Sequence, residues 1–130
     1  MNVARLWLLI AGLSGGLSAG ANAVQGVPGM SAALSLSPTY GGALVTGRVR
    51  VPRNNELTGV WSSVGRARLM KCTPRCGVVS AVPIQGSVIL SSDSGYRVVL
   101  GGKFRTGQKV SLVLRFREGT VVNVMATVGR

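Results

Sequence analysis

No stretch of this chain sustains a 3.6-residue apolar period, and this constrains its fold more than any other feature. Apolar residues recur instead at alternate positions in short runs, separated by clusters of Gly, Pro, Asn and Ser. Residues 43–51 set Val49 and Val51 against Arg48 and Arg50, so one face of that run is apolar and the other charged. Pro52-Arg53-Asn54-Asn55 ends it as a turn. Further β-rich runs follow at residues 57–61, 66–71, 77–84, 87–90, 96–100, 109–116 and 120–128. The last two face each other across Arg117-Glu118-Gly119. Gly and β-branched residues are too frequent for helices, and strands at this spacing predict an all-β sandwich or barrel. Residues 24–40 read as a leader or edge strand around 33–36, ended by Pro38, and residues 41–130 as the β domain.

Residues 1–23 have the pattern of a cleavable export signal: Arg5 in a short leading region, an apolar run over 6–13, and Ala21-Asn22-Ala23 as a small-x-small cleavage site. The apolar run is shorter than the roughly 20 residues a membrane-crossing helix needs, and nothing after it in the mature chain reads as a transmembrane span. Cleavage after Ala23 leaves 130 − 23 = 107 residues, enough for one domain. Its expected place is the periplasm or extracytoplasmic envelope.

The full chain has 15 Lys+Arg against 3 Asp+Glu. Without Arg5 the mature balance is 14 − 3 = +11. Histidine is absent, which excludes Ser-His-Asp and Cys-His nucleophiles and imidazole metal ligands. The acids Glu56, Asp93 and Glu118 are scattered among different segments, so no paired carboxylates are expected. No phosphate-binding glycine fingerprint is present. These absences argue against an enzyme.

The last third of the chain carries a resemblance. Gly95-Tyr96-Arg97-Val98-Val99-Leu100 leads through Phe104-Arg105-Thr106-Gly107 to the run Lys109-Val110-Ser111-Leu112-Val113-Leu114-Arg115-Phe116, closed by Gly119-Thr120-Val121-Val122-Asn123-Val124. Upstream, residues 57–70 lead into Met70. This order resembles the periplasmic copper chaperones of the PCu(A)C type, which deliver Cu(I) to the copper-A centre of cytochrome oxidase. The resemblance implies a single Greek-key β-sandwich, cupredoxin-like, and a Cu(I) site whose first ligand falls on Met70. The family's histidine falls on Arg97 and its next methionine on Val99, and no methionine stands at 78–81, where its middle ligand is expected. One of four family ligands is retained.

The two cysteines stand beside that position, in Met70-Lys71-Cys72-Thr73-Pro74-Arg75-Cys76. Two readings are open. As thiolates, Cys72 and Cys76 with the Met70 thioether form a soft donor set suited to Cu(I), and Lys71 and Arg75 favour the thiolate form. As a disulfide, the usual state of cysteines in an exported chain, they close a short loop. Met30 and Met125 read as leader and core residues. Arg48 and Arg50, Arg66 and Arg68, and Arg115 and Arg117 are i, i+2 pairs on three expected strands. On one sheet they form a cationic stripe for an anionic partner. Export and the lack of an aromatic cluster argue against nucleic acid as that partner. The reading is therefore an exported copper-chaperone-like protein that binds Cu(I) and passes it to an envelope acceptor such as the oxidase copper-A site. The alternative is a metal-free envelope module that docks anionic partners through its arginines.

Overall fold

The computed structural model describes residues 29–129. The signal at 1–23 lies outside the described residues. The chain there forms eleven strands: β1 (Ser31–Thr39), β2 (Gly42–Arg50), β3 (Asn55–Ser62), β4 (Gly65–Arg66), β5 (Arg68–Cys72), β6 (Cys76–Val78), β7 (Val82–Ile84), β8 (Ser87–Leu90), β9 (Tyr96–Gly101), β10 (Lys109–Phe116) and β11 (Val121–Val128). The expected all-β class is what the structure has. No helix among the described residues is long and apolar enough to cross a membrane.

The strands form one continuous sheet in the order β4-β3-β10-β11-β1-β2-β9-β5-β6, with β7 on β3 and β8 on β2. β4 is at one end of that order and β5 next to the other end, yet only Ala67 separates them in the chain. The sheet must therefore curl until its ends meet, and its two halves face each other as in a sandwich. Ala67 shows how the switch is made: its N–H donates to Val60 O at 2.8 Å, and its side chain is buried. The run at 66–71, expected as one strand, is thus two, because the backbone changes partner from β3 to β9 at this residue. The run at 77–84 likewise divides into β6 and β7, which pair with β5 and β3 respectively.

Alternation fills the space inside. Val110, Leu112, Leu114 and Phe116 of β10 point inward, as do Val122, Val124, Ala126 and Val128 of β11. Leu34 and Leu36 of β1 and Val98 and Leu100 of β9 join them in one cluster. Full burial of one such side chain is worth about 1.5–3 kcal/mol, so this cluster is the main stabilising term.

The segment around residues 33–36, expected as a leader or edge strand, belongs to an interior strand, β1. β1 pairs antiparallel with β2 along its whole length and parallel with β11 at Ser35–Thr127 and Leu36–Val128. Pro38 does not end the strand, because it lies one residue from the hairpin turn, where a missing N–H costs little. Gly47 is demanded by the backbone. Its φ is +133°, and a Cβ there would lie 1.9 Å from Ala33 O. At this point β2, which pairs β9 at residues 42–44, takes β8 as its partner instead.

Candidate metal centre

The β5–β6 hairpin gathers the three soft donors. Its register pairs Met70 with Val78, Lys71 with Gly77, and Cys72 with Cys76. Leu69 is buried, so by alternation Met70 and Cys72 both project from the opposite, outward face. Met70 and Cys72 are half-buried and Cys76 is exposed. The hairpin stands at the end of the strand order, held to β9 by the Met70–Arg97 and Lys71–Tyr96 pairs, and Cys72 N–H donates to Gly95 O at 2.6 Å.

Cys72 and Cys76 are joined by a disulfide. In this state neither sulfur is a thiolate, and Met70 is the one soft donor left on the hairpin. Among the described residues no group of three or more His, Cys, Asp or Glu side chains could hold a metal.

The surroundings of Met70 decide the electrostatics. Arg97 is its cross-strand partner on β9 and donates through Nε to Ser94 O at 3.1 Å. Val99 pairs with Arg68 one step along the same two strands. Lys71 Nζ lies 5.9 Å from the centre of the Tyr96 ring. Positions 70, 97 and 99, carried over from the resemblance, and Val78, the first residue of the 78–81 range, are thus neighbours on one face, but they hold one thioether, two valines and a guanidinium. A fixed positive charge beside a neutral thioether opposes a bound cation. Beside two thiolates the same charge is balanced, because Cu(I) with two thiolates and a thioether carries a net −1.

An open cleft of about 340 Å³ adjoins the hairpin, lined by Arg66, Arg68, Leu69, Val78 and Val79 among others. Val78 is 69% exposed at its rim. This cleft was not legible in the sequence, since it forms where the β4–β5 switch brings Arg66 and Arg68 alongside β6.

The six arginines do not form one stripe. Arg48 and Arg50 share the outward face of β2. Arg66 and Arg68 flank buried Ala67 on strands far apart in the sheet order, and the Arg66 guanidinium lies 5.2 Å from the centre of the Trp61 ring. Arg115 faces outward on β10, whereas Arg117 lies beyond that strand, where its N–H donates to Glu56 O at 2.9 Å. Met125, expected in the core, is outward and 46% exposed, because Val124 and Ala126 occupy the inward positions of β11. Met30 packs against the core cluster from its margin.

No family model matches the chain, and no curated protein does. Solved structures do match. A copper-bound PCuAC domain from PmoF2 superposes with a TM-score of 0.64 at 19% identity, covering 82% of this chain and 97% of that one. The chain has the PCuAC fold. A solution structure of the Cu(I) form of DR1885 from Deinococcus radiodurans gives a TM-score of 0.63 at 20% identity, covering 81% of this chain and 80% of that one. The PCuAC fold accounts for the cupredoxin-like sandwich expected from the sequence. Both of these neighbours hold copper.

Proposed function

We propose that this chain is an exported copper-chaperone-like protein that carries Cu(I) on the reduced β5–β6 hairpin, through Cys72, Cys76 and Met70, and passes it by ligand exchange to an acceptor in the envelope. The oxidase copper-A site is one such acceptor. The observation that carries the reading is the placement of the three soft donors on one outward face of an exposed hairpin, in a chain with the PCuAC fold. Side chains directly opposite across two strands have Cβ atoms about 4.5–5.5 Å apart, a span that two thiolates can bridge through one soft ion. Met70 precedes Cys72 by two residues, about 7 Å along the same face, within reach of a flexible thioether arm.

The same arrangement makes the cargo conditional on redox state. Reduction by a dithiol donor converts the disulfide to two thiols and the donor to its own disulfide, and exposed Cys76 gives the donor access. Cu(I) then displaces the thiol protons. Oxidation leaves only Met70 beside Arg97, which is a poor site for a cation. The protein makes and breaks no bond of a substrate, and it acts as a carrier, not as an enzyme.

Anaerobic Cu(I) titration against a competing chelator tests this. Reduced protein should take up about one Cu(I), and oxidised protein should lose most of that affinity, because thiolates supply the soft donors. Cys72→Ser and Cys76→Ser should each weaken binding by more than the roughly 10–100-fold typical of losing an outer partner of a metal ligand. If the reduced protein binds no more copper than the double-serine variant, the carrier reading fails. The metal-free docking module, which the disulfide itself favours, then takes its place.

A further inference from the structure

The outward face of β11, β1, β2 and β8 has no part in the copper reading, and its composition is unusual. One row of paired residues runs Lys109–Thr127–Ser35–Thr46 across β10, β11, β1 and β2. Met125 and Ala33 each stand two residues before the Thr127–Ser35 pair on the same outward faces, and Ala33 pairs with Arg48, which pairs in turn with Ile89. Arg50 lies one step further along β2, between Ser31 and Ser87. Ile89 is 54% and Met125 46% exposed. Both are large apolar side chains on a solvent face, where sandwich strands ordinarily carry polar ones. The chain's acids are elsewhere. Glu56 and Glu118 belong to the corner where Arg117 N–H meets Glu56 O and Asn55 meets Glu118, beside Arg115, and Asp93 is in the turn after β8.

We propose that this face docks an acidic protein surface, with Arg48, Arg50 and Lys109 meeting its carboxylates and Ile89 and Met125 covered by apolar side chains between them. Charge complementarity selects the occupant. A second copy of this chain would bring like charge against like charge, at a formal net +12 for each full chain. A membrane is a poorer fit, because the apolar side chains stand singly among Ser, Ala and Thr and offer no continuous ridge to enter the acyl region. A flat sheet of short hydroxyl side chains lets a partner's surface approach closely, with the arginines free to pair carboxylates bidentately. The inference goes beyond the copper reading and stands whether or not the hairpin binds metal.

The test measures binding of the purified protein, by fluorescence anisotropy, to labelled peptides of repeating Glu-Glu-Leu and of Glu alone. The Leu-containing peptide should bind more tightly, and its affinity should fall as salt rises from about 0.05 to about 0.5 M. The triple variant Arg48→Ser, Arg50→Ser, Lys109→Ser should lose at least about tenfold. The triple variant Arg53→Ser, Arg68→Ser, Arg75→Ser makes the same charge change elsewhere and should lose less than about threefold. Met125→Ser with Ile89→Ser should erase the preference for the Leu-containing peptide. These sites are exposed, so the variants should keep the wild-type unfolding midpoint. Equal losses in the two triple variants would reduce the effect to net charge and overturn the proposal. So would binding confined to phosphatidylglycerol vesicles or to duplex DNA, or no binding at all.

Discussion

At the scale of single residues, the two that most reward attention are Arg97 and Gly47. Arg97 stands opposite Met70, where a ligand would face the bound ion, and beside the oxidised hairpin contributes a charge of the wrong sign. Replacing Arg97 with His and Val99 with Met removes that charge and adds an imidazole and a thioether within one step of Met70. The expected outcome is tighter Cu(I) binding by the reduced protein and measurable binding by the oxidised one, read by chelator competition. Met70→Leu should cost less affinity than either Cys→Ser change, because a neutral thioether is the weaker donor. Gly47 bears on stability alone. Gly47→Ala forces a Cβ against Ala33 O at a positive φ, and should destabilise the fold by about 1–3 kcal/mol in urea unfolding. An unchanged midpoint would show that β2 can be straightened at the point where it exchanges β9 for β8.

Among the elements, legibility in the sequence followed the locality of the information. β10 and β11 were readable because each has an apolar residue at every second position and a turn within residues 117–120 joins them. The same parity rule also places Met125 outward, and the expectation of a core methionine failed by weighing side-chain type above position. The breaks at Ala67 and between β6 and β7 were not readable, because each depends on which distant strand offers the next hydrogen bond. The interior place of β1 was hidden for the same reason: its parallel partner β11 lies at the other end of the chain. In the candidate metal centre, the sequence brought Met70, Cys72 and Cys76 together but left the state of the cysteines open, since a short Cys-x3-Cys turn suits a disulfide and a soft metal alike. Core substitutions should follow the inward faces. Leu112→Ala, at a fully buried position, should cost about 2–5 kcal/mol, whereas Met125→Ala should cost little. Comparable losses at both positions would contradict the assigned face of β11.

For the molecule as a whole, the curled sheet sets apart the two surfaces to which the proposals assign different roles: a hairpin at the end of the strand order, and a cationic outer face across its middle. Far-UV circular dichroism should give a β spectrum, and helix content above about 20% would be incompatible with this architecture. Expression in a Gram-negative host should place the protein in the periplasm with Val24 at its new N-terminus, read by mass spectrometry, and an unprocessed chain in the cytoplasm would count against export. The central claim is narrower than either, namely that copper is held by the sulfurs of the β5–β6 hairpin. Copper K-edge X-ray absorption on the reduced, Cu(I)-loaded protein tests it most directly. The account predicts a shell of two or three sulfur atoms at about the 2.3 Å typical of metal–thiolate bonds, lost in the Cys72→Ser, Cys76→Ser double variant. A shell of nitrogen or oxygen, or a sulfur shell that survives in the double variant, would contradict it.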